Sequence, residues 1–334
     1  MGATIEDVAA RSGVSTATVS RVLSGSAPAR PETRERVLAA ARELNYRPSG
    51  IARALKLRET RTLGLVVTDI TNPFYPQLVR AVESAAHERG YGIVLANGGD
   101  DAARELEHLD LLIERRVDGI VIVSSRMTRR HAERLQGTPV PVVLVNDTVA
   151  GSGLPAVTTA HRRGARLAAE HLIGLGHRRI GHIGAPADQA ASGQRRRGVR
   201  DALRAAGLGE PLVAIGDGGV TGGAHAAEAL IAAGMTGIVA YNDLTAIGAL
   251  RALRRAGIGV PEQASVVGFD DIDLAAWTDP PLTTIRQPTD ALGQWAVDHL
   301  LDLLGGAGEG GSDTPVVLQP ELVVRGSTAA QGTV

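Results

Sequence analysis

The chain has 334 residues, 44% apolar and 21% charged, with a net charge of −1. That is an ordinary globular composition, long enough for two or three domains. It contains no cysteine, which excludes disulfides, thiolate metal sites and cysteine nucleophiles. No uninterrupted apolar run reaches the ~18–20 residues of a membrane span. The opening MGATIEDVAARSG has no apolar core of the kind a signal peptide needs, so the cytoplasm is the expected compartment.

Charge is unevenly spread. Residues 1–60 hold ten Arg/Lys against six Asp/Glu, and the remainder holds 25 against 30. A basic head on an acidic body points to a polyanionic partner for the head.

The head reads as three short helices. Thr4-Ile5-Glu6-Asp7 is a capping-box pattern; Ile5, Val8 and Ala9 follow on one apolar face, and Gly13 ends the helix. Ser15 is placed to cap a second helix with Val19, Val22 and Leu23 inward and Gly25 at its close. The valines and threonines of 14–20 also suit a strand, but their spacing fits a helical face better. A third helix starts at Pro31, buries Val37, Leu38, Ala41 and Leu44, and stops at Tyr46-Arg47-Pro48.

From Thr62 the period changes. Nearly all-apolar runs at 63–67, 92–96, 119–123, 140–145, 179–184, 237–241 and 265–269 read as strands. Amphipathic helices fall between them at 77–89, 103–115, 163–174, 195–206, 222–233 and 244–256. Strands apolar on both faces and alternating with helices form parallel sheets covered on both sides. About 270 residues of this exceed one doubly wound sheet, so two lobes are expected. GGAGEGGSD (305–313) reads as a flexible loop, and PVVLQPELVVRG returns as one or two final strands.

Two helices joined through a glycine turn make the helix-turn-helix arrangement, whose second helix enters the DNA major groove. Its exposed face must be short and polar, and Thr16, Ala17, Ser20 and Arg21 meet that need. Ser and Thr bond phosphates or base edges, and an arginine can pair bidentately with guanine. A small helical bundle without nucleic acid remains an alternative on pattern alone.

TIEDVAARSGVSTATVSRVLSG with ETRERVLAAARELNYRPSGIARAL closely resembles the lactose/galactose repressor family of bacterial transcription regulators. LGLVVTDITNPFYPQLVRAVE, RRVDGIVIVSS, HLIGLGHRRIGHIG, AYNDLTAIGALRAL, SVVGFDDID and DPPLTTIRQP continue the likeness. The resemblance implies an α/β chain: an all-α helix-turn-helix head at 1–48, a hinge at 49–60, and a two-lobed core at 61–334 like a periplasmic binding protein. The lobes would be about 61–160 plus 290–318, and about 161–289 plus 319–328. It implies a repressor that binds a palindromic operator as a homodimer and is controlled by a small cytoplasmic ligand, a sugar or sugar-like metabolite. No cofactor, metal or membrane partner is expected.

By the same resemblance, DNA contacts fall to Thr4, Ser15, Thr16, Ala17, Thr18, Ser20, Arg21, Arg30, Tyr46 and Arg47, and in the hinge to Ser49, Ala52, Leu55 and Lys56. Leu55 takes the place of a leucine that wedges into the minor groove, unstacking a base step. Ligand contacts fall to Phe74, Asn146, Arg195, Asn242 and Asp270, near strand ends where open α/β sheets bind ligands. Asp243 or Asp271 is expected to cap the following helix.

The chain departs from the family in three places: Asn146 where Asp is common, Ala160-His161 in place of an Asp-Asn pair, and Gly218 where many relatives carry an aromatic. These suggest a roomier pocket or another stacking partner. An enzyme is the competing reading, but no G-x-G-x-x-G, P-loop, HExxH or G-x-S-x-G is present. His171 and His177 straddle a glycine turn and read as turn structure rather than a metal pair. A solute-binding protein would leave the head idle.

Overall fold

The structure is a computed structural model, and the residues it describes are 3–24, 29–46, 59–124, 126–186, 190–306 and 314–332. Gly25, most of the 305–313 loop, Arg47 of the head, and the hinge residues Ser49, Ala52, Leu55 and Lys56 lie outside the described residues. The chain divides into two units, Met1–Thr60 and Arg61–Val334.

In the first unit α1 spans Ile5–Ser12, α2 Thr16–Ser24 and α3 Pro31–Glu43. Thr4 Oγ1 accepts from the Asp7 N–H, and the Asp7 carboxylate accepts from the Thr4 N–H, closing the predicted capping box. Gly13 ends α1 at φ 66°, a left-handed conformation that costs glycine little. Ser15 Oγ accepts from the Thr18 N–H at 3.2 Å and caps α2. Val8, Val19, Val22, Val37, Ala40 and Ala41 form the buried centre. Leu38 and Leu44, expected inside, pack only partly buried at its edge. Arg11 pairs with Glu43 at 2.9 Å and ties α1 to α3.

The second unit holds two six-stranded sheets. The first contains β1 (Thr62–Val67), β2 (Gly92–Asn97), β3 (Gly119–Val123), β4 (Val142–Val145), β5 (Ala156–Thr159) and β11 (Val316–Leu318), in the order β11-β5-β4-β3-β1-β2, all parallel. The second contains β6 (Ile180–Gly184), β7 (Leu212–Ile215), β8 (Gly237–Ala240), β9 (Ser265–Asp270), β10 (Thr283–Arg286) and β12 (Glu321–Val323), in the order β12-β10-β9-β8-β6-β7. One strand departs from the parallel expectation: β12 pairs antiparallel with β10, Ile285 opposite Leu322. It arrives from β11 in the other sheet through Gln319-Pro320 alone, with no crossover helix to return it parallel.

The helices of this unit are α4 (Phe74–Glu88), α5 (Ala102–Glu114), α6 (Ala132–Gln136), α7 (His161–Gly174), α8 (Ala190–Ala205), α9 (Val220–Ala232), α10 (Asp243–Arg255) and α11 (Thr289–Leu304). Both faces of the first sheet are covered. Leu63, Leu65 and Val67 of β1 lie with Leu78, Val82 and Leu292 from α4 and α11, while Val66 lies with Leu109 and Leu112 of α5. On the second sheet α7 packs with α8 and α9 with α10. A Cβ on Gly198 of α8 would stand 2.1 Å from the Arg162 carbonyl oxygen, so only glycine admits that approach. The chain crosses between the sheets three times: from β5 into α7, from β10 into α11, and from β11 to β12.

Candidate functional site

The exposed side of α2 presents what a groove-reading helix requires. Ser15, Thr16, Ala17 and Arg21 are exposed, and Thr18 and Ser20 are partly so. Arg21 lies along its own helix, donating to the Ala17 carbonyl at 3.3 Å and to Thr18 Oγ1 at 3.4 Å. Thr4 and Arg30 are exposed as well. Tyr46 differs, being half-buried against the valine cluster of the head.

In the second unit the strands of both sheets end on one cleft of about 370 Å³. All five predicted ligand residues, Phe74, Asn146, Arg195, Asn242 and Asp270, line it. Ser124, Asn146 and Asp270 sit at or just past the ends of β3, β4 and β9, with φ of 48°, 55° and 121°. Such backbone is strained for a residue with a side chain, and its gathering around a cleft is characteristic of functional sites.

Arg195 is the centre of the cleft's polar structure. It is only 4% exposed, projects from α8, and lies between the rings of Phe269 at 3.7 Å and Tyr241 at 4.7 Å from its guanidinium carbon. One amino group donates to the Tyr241 carbonyl; the other reaches His161 Nδ1 at 3.4 Å and Asp270 Oδ1 at 3.5 Å. Burial pushes the Asp270 carboxyl above its ordinary range, and the Arg195 charge opposes that shift. Burial, with Arg195 beside it, drives the His161 imidazole well below its ordinary value, so that ring is neutral.

Gln287, just past β10, joins the two sheets through one side chain. Its amide nitrogen donates to Asp270 Oδ1 at 2.7 Å, and its oxygen accepts from Asn146 Nδ2 at 2.9 Å and Thr159 Oγ1 at 2.7 Å. Asn146 also accepts from the Thr159 N–H through Oδ1. Asn242 is likewise engaged inside the protein: Oδ1 caps α10 by accepting from the Thr245 N–H, and Nδ2 donates to the Gly218 carbonyl. Neither Asp243 nor Asp271 is therefore the cap. Asp243 accepts from the Ile272 N–H and Thr284 Oγ1, and Asp271 pairs with Arg286 and Arg325.

The sequence reading did not assign Gln287, Asp147, His161, Arg126 or the two tyrosines, Tyr75 and Tyr241, all of which line the cleft. Except for Tyr75, in the first turn of α4, their position soon after strand ends was the available signal. His171 and His177 stand away from the cleft lining and bond Thr328, and Thr236 with Ser265, respectively. No cluster of three or more metal-ligating side chains occurs among the described residues.

Residues 4–49 match the profile of bacterial regulatory proteins, lacI family, and residues 169–328 match that of the periplasmic binding protein-like domain. The ribose operon repressor of Escherichia coli (strain K12) is 39% identical over 304 residues, covering 90% of this chain and 92% of the relative. The chain belongs to the lacI family of bacterial regulatory proteins. A crystal structure of the Lac repressor dimer bound to operator and the anti-inducer ONPF superposes with a TM-score of 0.89 at 30% identity, covering 99% of this chain and all of that one. A lacI-family regulator from Enterococcus faecium with bound ribose superposes with a TM-score of 0.72 at 30% identity, covering 81% of this chain and all of that one. This lacI-family chain is a DNA-binding transcription regulator and not an enzyme. Among its described residues no helix is long and apolar enough to cross a membrane.

Proposed function

We propose that this regulator is a cytoplasmic repressor, binding a palindromic operator as a homodimer under the control of a sugar or sugar-like effector held in the cleft. Thr16, Ala17, Ser20 and Arg21 read the major groove. Thr4, Ser15, Thr18, Arg30, Tyr46 and Arg47 hold the head on the duplex, and Ser49, Ala52, Leu55 and Lys56 act from the hinge. The division into head (1–48), hinge (49–60) and two-lobed core (61–334) belongs to the same reading. Two-fold symmetry in the protein matches the palindrome in the site.

The observation that carries the effector half is the chain Asn146–Gln287–Asp270–Arg195, which runs from one sheet to the other along the cleft. A ligand that bonds Asp270 or Arg195 touches the connection between the sheets itself. Vicinal hydroxyls suit a carboxylate beside a guanidinium fork. The operon named for the E. coli relative and the ribose in the E. faecium structure support a sugar-class ligand.

The test is a thermal-shift screen of sugars and nucleosides, with hits titrated into the full chain on labelled operator DNA. A hit that shifts operator affinity, and a variant Asp270→Ala that still binds operator but ignores the hit, are the expected results. Leu55→Ala should weaken operator binding and leave effector binding intact. Footprinting that shows a monomer protecting a non-palindromic site would overturn the reading.

A further inference from the structure

Three buried side chains on the cleft, Asp147, His161 and Arg195, hold polar atoms with no partner among the described residues. Asp147, 7% exposed, accepts from the Thr148 N–H through Oδ1 at 2.7 Å, while Oδ2 has no partner. His161, 2% exposed, faces the Arg195 amino group with Nδ1. Because that amino group can only donate, Nδ1 accepts and the ring proton sits on Nε2, which has no acceptor. Arg195 Nε is a second unmatched donor in the same cleft. Buried polar atoms left in this state cost stability unless something outside the chain satisfies them.

Charge limits what that can be. Asp69, Asp100, Asp147, Asp217 and Asp270 all line the cleft, against the guanidiniums of Arg126 and Arg195. Arg126 is engaged by Asp100 through Nε at 3.0 Å and Nη2 at 2.8 Å, and Arg195 faces Asp270. At three helix starts on the cleft the protein's own side-chain oxygens take a backbone N–H that an anion could otherwise use. Asn72 Oδ1 takes the Phe74 N–H of α4, Asp217 Oδ1 the Gly219 N–H before α9, and Asn242 Oδ1 the Thr245 N–H of α10.

We propose that Asp147 and His161 are the specificity pair of the cleft: Asp147 accepts from a hydroxyl or ammonium group of the effector, His161 donates to one of its oxygens, and phosphorylated or carboxylated sugars are refused. This rests on the reading that the cleft holds a sugar-class effector. Ala160, next to His161 in the chain, and Gly218, on the cleft lining, add no polar side chain to compete with the pair. Burial holds the Asp147 carboxyl up at about 7, aided by Glu105 and opposed by the Thr148 N–H and Arg126. A donor from the ligand draws it back to the carboxylate.

The experiment titrates the full chain with matched sugars: ribose, glucose, galactose and glucosamine against ribose 5-phosphate, glucose 6-phosphate and glucuronate. At least one neutral or amino sugar should bind, each acidic counterpart at least ~100-fold more weakly, and Asp147→Asn should weaken the hit ~10-fold or more. An acidic sugar binding as tightly as its neutral parent, or an unchanged affinity in Asp147→Asn, overturns the pair while leaving the sugar reading standing. Failure of every sugar overturns both. A ligand-free measurement tests the unmatched carboxylate alone: at pH 8 wild type should melt ~3 °C or more below Asp147→Asn, with the gap narrowing as pH falls from about 7 towards 3.8. Superimposable profiles would overturn the assignment.

Discussion

Gln287 donates to Asp270 at 2.7 Å while its own oxygen is held by Asn146 and Thr159 of the opposite sheet. One amide thus satisfies three buried groups across the cleft. Each of its partners is 7% exposed or less, so little of any of them meets water while the amide is in place.

Gln287→Ala should therefore destabilise the second unit by more than one ordinary hydrogen bond. Each group left without a partner costs ~1–3 kcal/mol, and three are exposed to that penalty unless water enters. Urea unfolding measures it; a midpoint equal to wild type would show that the bridge is dispensable.

Gly198→Ala tests how Arg195 is placed. The new Cβ would meet the Arg162 carbonyl at 2.1 Å and the Arg166 nitrogen at 3.0 Å, backbone atoms that cannot swing aside. The helices α7 and α8 must part, at a cost of ~1–3 kcal/mol. Arg195, one turn earlier, then leaves its seat on Phe269. The expected outcome is lowered stability together with a weakened effector response. A stable variant with normal response would place the control of Arg195 elsewhere.

His182 sets one limit on acid stability. It is fully buried on β6, bonded through Nδ1 to the Val239 carbonyl at 2.9 Å. Burial drives its pKa from 6.5 down to about 4, with the charges of Arg195 and Arg196 adding to the shift. A base whose folded pKa is depressed binds fewer protons folded than unfolded, so its contribution is lost as pH falls from about 6.5 to about 4. His182→Asn, which keeps a donor for Val239, should flatten the loss of melting temperature over that window. Parallel curves for variant and wild type would rule out this source.

Arg21→Ala separates reading from holding. Loss of a guanine contact should relax sequence choice at one base pair per half-site, by ~1–3 kcal/mol. A uniform fall in affinity across operator variants, with a shallower salt dependence, would instead mark Arg21 as a phosphate contact.

The head was legible because its signals are local. Thr4 and Asp7 lie one turn apart, Gly13 supplies a backbone only it adopts easily, and Pro31 opens a helix. Strands buried on both faces announced themselves as apolar runs. Ala156–Thr159 and Thr283–Arg286 did not, because threonine dilutes them, and Leu212–Ile215 is an edge strand with alternate side chains exposed. Helix α11 was hidden by Gly293, which lets it approach the Ala81 backbone at a distance no Cβ would allow. The family resemblance marked Phe74, Asn146, Arg195, Asn242 and Asp270, and they share one cleft, three of them beside strand ends and Phe74 and Arg195 on helices. Which of their atoms stay unmatched was not legible, since Asn146 meets Gln287 across 141 positions of sequence.

The three crossings between sheets bear on how the protein is made. Val316 extends the first sheet beside Val157, Leu322 flanks Ile285 in the second, and the Ser327 hydroxyl bonds the Val266 carbonyl in its interior. A chain leaving the ribosome therefore carries two unfinished edges until residues 316–327 emerge. Ribosomes that stop short of residue 316 release a product with both edges bare, open to pairing with another chain.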